Sequence, residues 1–170
     1  MRPTNATLVL ALGNEVAGDD AVGLHAARRL RERCVDGVDV IETGEAGLAL
    51  LDFIQGYRRL LILDSVCGCS SAVGTIHSFG MADLRPVGSP SPHYAGLPEL
   101  KRIAEASGLS FPEDVRAIAM GIAQPDRIIE GLSPEARAAL PEMVDRAAAV
   151  LHDWGHVSVI PPTPIERRAA

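Results

Sequence analysis

Three polar side chains in this sequence have the types that a divalent-metal site or a water-activating site uses: Asp20, Asp64 and His93. Two carboxylates and one imidazole make a reasonable donor set for a divalent transition metal, with positions left open for water or substrate. Two carboxylates alone can activate a water by acid–base work. Asp20 follows Asp19 at the start of a helical pattern, after an apolar run from Leu8 to Leu12 and a turn at Gly13-Asn14. Asp64 is the first ionisable group after Leu60-Leu61-Ile62-Leu63. A carboxylate there is costly to desolvate unless it is paired or binds a cation. His93 stands in Ser89-Pro90-Ser91-Pro92-His93-Tyr94-Ala95-Gly96, where two prolines stiffen the approach to it.

Each of these residues also has a plainer use. Asp19 reads most simply as the N-cap of the helix that follows it. Asp20 fits a first-turn acid as well as a ligand, Asp64 fits a strand-end acid bonded to backbone amides, and His93 fits a loop-ordering residue. Cys67-Gly68-Cys69 has no second cysteine pair to complete a metal thiolate site, so ordinary loop or buried cysteines are expected. The sequence has no Gly-x-Ser-x-Gly elbow, no Walker loop and no His-Glu-x-x-His. The glycines at 13, 18 and 23 do not match dinucleotide-binding spacing.

The elements that must position these groups alternate between strand and helix. Strands are expected at Leu8–Leu12, Val38–Ile41, Leu60–Leu63, Gly74–Phe79 and Val115–Met120. Helices are expected from Ala21, at Gly47–Ile54, at Leu97–Ala106 and from Pro134 to about Trp154. Ser133 is the N-cap of the last of these, and Pro141 predicts a kink or break inside it. A loop rich in Pro, Ser and Gly covers about Gly80 to Gly96. This order predicts an α/β fold: a single three-layer sandwich with a mostly parallel twisted sheet of about five strands and helices on both faces. If the first and third strands are parallel, Asp20 and Asp64 reach the same rim, where such folds bind ligands. One domain is expected over residues 1–154, with a loosely ordered tail over 155–170.

With 170 residues, 47% hydrophobic and 22% charged, the chain suits one soluble domain with a sizeable core. The net charge of -6 argues against a general nucleic-acid binder. The N-terminal apolar run is far shorter than the ~20 residues that span a bilayer, and too short for a signal-peptide core. No membrane association and a cytoplasmic location are therefore expected. The sparse, odd set of Cys34, Cys67 and Cys69 is consistent with reduced thiols there.

Four stretches together resemble the hydrogenase maturation endopeptidases. They are Gly13-Asn14-Glu15-Val16-Ala17-Gly18-Asp19-Asp20, Thr43-Gly44-Glu45-Ala46-Gly47, Leu63-Asp64-Ser65 and Ser91-Pro92-His93-Tyr94-Ala95-Gly96-Leu97. The resemblance covers roughly residues 7 to 154, in the family's order and at compatible spacings. Ala21 replaces a glycine the family often carries after its paired acids, and Val73-Gly74-Thr75 stands where Pro-Gly-Thr is usual. Both departures affect turns rather than the polar trio.

The resemblance implies an endopeptidase that removes a short C-terminal extension from the precursor of a nickel–iron hydrogenase large subunit. Cleavage follows nickel insertion, on the carboxyl side of a His or Arg, with nickel in the precursor as the recognition signal. The family's metal-contacting residues map onto Asp20, Asp64 and His93. Nickel would come with the substrate, although another divalent metal could take the same place. Hydrolysis would go through a metal-polarised carbonyl or metal-bound water, or through a water activated by the two acids; the histidine in the set favours the former. Glu45, beside a glycine turn, is a candidate for substrate selection or an exposed loop acid. The competing readings are a non-hydrolytic chaperone that holds the large-subunit tail and, more remotely, an esterase like the peptidyl-tRNA hydrolases. The latter requires a basic RNA-binding face that this acidic chain lacks.

Overall fold

Strand β1 (Thr7–Leu12) is buried along its whole length, as a near-continuous apolar run inside a parallel sheet must be. The computed structural model describes residues 6–33, 37–68, 72–84 and 96–156. Among them, β1 leads through a 3-10 turn (Gly18–Ala21) into helix α1 (Val22–Arg31) and strand β2 (Val38–Thr43). A second 3-10 turn and helix α2 (Leu50–Ile54) return the chain to strand β3 (Arg59–Val66). Strand β4 (Ile76–Gly80), a third 3-10 turn (Met81–Asp83), helix α3 (Leu97–Ala106), strand β5 (Asp114–Gly121) and helix α4 (Pro134–Asp153) complete the order.

The five strands form one sheet in the order β2-β1-β3-β5-β4. β1 pairs in parallel with β2 and β3, and β3 pairs in parallel with β5. Only the edge strand β4 runs antiparallel, against β5. Successive side chains along a strand point to opposite faces, and two cores result. Val9, Ala11, Leu61, Leu63, Ile118 and Met120 pack with α1 and α4. Leu8, Leu10, Leu12, Leu60, Ile62 and Ala117 pack with α2 and α3. The chain is thus the three-layer α/β sandwich that its sequence leads one to expect.

α3 and α4 each carry proline in the first turn, where no hydrogen bond is lost. Ser133 caps α4 by accepting a hydrogen bond from the Ala136 amide at 3.1 Å. Of the kink or break expected at Pro141, the break is not found: α4 is a single helix from Pro134 to Asp153. Its buried face (Ala136, Leu140, Met143, Val144, Ala147, Ala148, Leu151) lies on both sides of the proline and packs into one core. That burial outweighs the one backbone hydrogen bond that the proline forgoes. The tail expected from residue 155 lies, beyond 156, outside the described residues. Among the described residues no helix is long and apolar enough to cross a membrane.

Candidate active site

From β1 the chain passes to β2 on one side, while β1's other neighbour is β3. The crevice beyond the carboxyl ends of β1 and β3 is therefore a topological switch point, the usual ligand position in open α/β sheets. Asp20 and Asp64 flank it. Asp20 lies in the 3-10 turn after β1. Asp64 sits within β3, two residues short of its end, paired with Ala119 of β5. On the β1 side, ladder pairing stops at Ala11 and Leu63, so Asp64 is the first β3 residue beyond that ladder, level with Leu12, the last residue of β1.

Close backbone approach brings Asp20 to this rim. A β-carbon at Gly13 would overlap the Asp20 carbonyl oxygen, and one at Gly23 would overlap the carbonyl oxygens of Leu63 and Leu12. The two glycines let the turn and the first turn of α1 press directly onto the ends of β1 and β3. Asn14 shapes the loop between them: its side-chain oxygen accepts from the Val16 amide at 3.2 Å, an Asx-type turn.

Ser65 ties the two acids together. Its hydroxyl donates to Asp20 Oδ1 at 2.7 Å, and its backbone amide donates to Asp64 Oδ1, also at 2.7 Å. Asp64 is 0% exposed and Ser65 3%, so both bonds lie in a poorly solvated place, where a carboxylate needs such partners. Alternation along β3 puts Asp64 on the side of Leu60, Ile62 and Val66, which belong to the α2/α3 core. Ser65 shares the side of Leu61 and Leu63, in the α1/α4 core. The acids therefore reach the crevice from opposite layers of the sandwich.

Asp19 does something other than the N-capping expected of it. Its carboxylate accepts from the Ser133 amide at 2.6 Å and from the Ser133 hydroxyl at 2.8 Å. No side chain caps the 3-10 turn or α1. Asp19 lies inside the turn rather than at its start, and the positive amino end of α4 offers it a charge-favoured partner. The same loop is laced to the segment before α4 by a parallel bridge between Ala17 and Ile129. Gly18 donates to the Ile129 carbonyl at 2.8 Å, and Ile129 donates to that of Val16 at 3.1 Å.

Beside the crevice, a cleft of about 490 Å³ opens between the ends of β1 and β2, lined by Gly13, Asn14, Glu15, Arg28, Glu42 and Gly44 among others. Arg28 binds Glu15 and, at 2.8 Å, Glu42, which also holds Arg31 at 2.9 Å. The hydrogen bond to Glu15, with that to Glu42, raises the Arg28 pKa above its ordinary value. Glu45 is exposed, its amide donating to Thr43 Oγ1 at 3.0 Å.

Of the three residues singled out from the sequence, the fold thus brings Asp20 and Asp64 to one rim, and His93 lies outside the described residues. Among the described residues no group of three or more His, Cys, Asp or Glu side chains is arranged to hold a metal ion. Sequence reasoning missed Ser65 and the Asp19–Ser133 clamp. The signal for Ser65 was its place directly after Asp64 on the opposite strand face; the clamp, spanning 114 positions, leaves no local signal.

The model of a family described as hydrogenase maturation protease (HycI) matches residues 24–150. The hydrogenase 2 maturation protease of Escherichia coli K12 is 28% identical over 163 residues, covering 91% of this chain and 94% of that protein. The solved structure of the E. coli hydrogenase maturating endopeptidase HybD superposes with a TM-score of 0.74 at 25% identity, covering 88% of this chain and 94% of that one. The [NiFe] hydrogenase maturation protease HybD from Thermococcus kodakarensis gives 0.66 at 27% identity, covering 85% and 98%.

Proposed function

Because the chain belongs to the hydrogenase maturation protease family, we propose that it removes the C-terminal extension from a nickel–iron hydrogenase large-subunit precursor after nickel insertion. Asp20, Asp64 and His93 meet the nickel that the substrate carries. The nickel is part of the substrate rather than a resident cofactor of this protein. Its Lewis acidity polarises the scissile carbonyl or the attacking water, and the three side chains hold it, with the peptide bond beside it, in the crevice. Binding energy spent on the metal would make cleavage conditional on prior nickel insertion.

One observation supports this reading above the others: two carboxylates from separate elements, joined through Ser65, at the switch point of the sheet. The test is to incubate the purified protein with nickel-loaded and nickel-free precursor and to weigh the products by mass spectrometry. Loss of the extension from the nickel-loaded precursor alone is expected. Unchanged mass in both, with the precursor bound, would replace the protease by a holding protein.

A further inference from the structure

The two carboxylates are not held alike. Asp64 is fixed by the β3 backbone and by full burial. Asp20 stands in a short 3-10 turn, only partly buried, with no capping side chain to stiffen that turn. Its carboxylate is oriented by the hydroxyl of Ser65, which is itself 3% exposed on the adjoining strand. Among the described residues the Ser65 hydroxyl is the one side-chain donor to Asp20.

We propose that Ser65 is a positioning residue for the reaction: its hydroxyl fixes the rotation of the Asp20 carboxylate so that the second oxygen, Oδ2, is the one presented to the metal-bearing substrate. This rests on the reading of Asp20 and Asp64 given above. A single charge-assisted hydrogen bond can hold such an orientation, and because Ser65 is buried, water is poorly placed to substitute for it. The backbone amide of the same residue secures Asp64 whatever the side chain, so substitution at 65 separates the two halves of the tie: the hydroxyl bond is lost and the amide bond stays.

The experiment compares wild type, S65A, S65C, S65T and D20N on the nickel-loaded precursor, at a temperature where circular dichroism shows each to be folded. S65A and S65C are expected to lose about tenfold or more in kcat/KM, the worth of one such bond. S65T, which restores the hydroxyl, is expected to return to within about threefold of wild type. Should S65A fail to fold, S65C, of nearly the serine's size, carries the same expectation. Activity of the hydroxyl-free variants within about threefold of wild type, or S65T as impaired as they are, overturns the positioning role. If D20N loses cleavage in that case, the reading of the site stands without Ser65; if D20N cleaves like wild type, both fall.

Discussion

Asp19 and Ser133, 114 positions apart in sequence, are joined by two hydrogen bonds to one carboxylate. The acid beside Asp20 thereby fastens the β1–α1 loop to the start of α4. Hydrogen bonds to a charged group contribute about 1.5–3 kcal/mol each at most, and an N-cap about 1. D19A is expected to lower stability by about 2–3 kcal/mol in urea titration. D19A and S133A combined should cost clearly less than the sum of the two, since the hydroxyl–carboxylate bond is lost in either. Strict additivity would mean that the two side chains act independently.

If the carboxylates and the imidazole grip the substrate, their removal should stop cleavage without unfolding the chain. D20N, D64N and H93A are each expected to reduce processing of the nickel-loaded precursor by about a hundredfold or more. Circular dichroism of D20N and H93A should stay native. Wild-type cleavage by any of the three would remove that residue from the mechanism.

Gly23 opens a contest between helix propensity and space. Alanine is favoured over glycine in a helix by about 1 kcal/mol. The added carbon, however, would overlap two strand carbonyls, and backbone atoms in a packed sheet do not yield cheaply; overpacking costs about 1–3 kcal/mol or more. G23A is therefore expected to be destabilised on balance. A higher midpoint of thermal unfolding for G23A would show that α1 can lift off the sheet.

The opposite outcome is expected at Pro141. It is exposed and lies inside the unbroken α4. Proline costs a helix interior about 3 kcal/mol relative to alanine. P141A restores the missing amide, and a gain of about 1–3 kcal/mol in chemical denaturation is expected.

His156 sets a pH dependence at the far edge of the sheet from the crevice. Its Nε2 lies 2.9 Å from Thr7 Oγ1. Burial, and secondarily the nearby Arg59 charge, lowers its pKa from the ordinary 6.5. The unfolded chain then binds more protons than the folded one as pH drops below 6.5, so this residue's contribution to stability is present above that value and declines beneath it. The melting midpoint should fall between neutral and mildly acidic pH, and H156Q should flatten that part of the profile.

Much of the fold could be read from patterning alone. The apolar runs at Leu8 and Leu60 are long enough, and bare enough of polar residues, to require burial on both faces, and burial on both faces implies parallel neighbours. Asp20 and Asp64 were legible for the same reason: Asp64 follows one such run directly and Asp20 stands in the turn after the other, and strands that run parallel deliver their ends to one rim. Asp19 was misread because capping preferences are local, whereas its partner, 114 positions later, is the N-cap residue of α4. A break did not follow at Pro141, because intrinsic propensity carries no information about the face that α4 buries. Ser65 went unused because its value lies in a hydrogen bond to Asp20, 45 positions earlier, a long-range pairing that periodicity does not encode.

That Asp64 and Ser65 face opposite layers of the sandwich constrains how anything can be delivered to both acids. A ligand lying flat against either helical layer would meet one carboxylate and be screened from the other by the strand itself. An approach end-on, from beyond the carboxyl end of β3, would meet both acids.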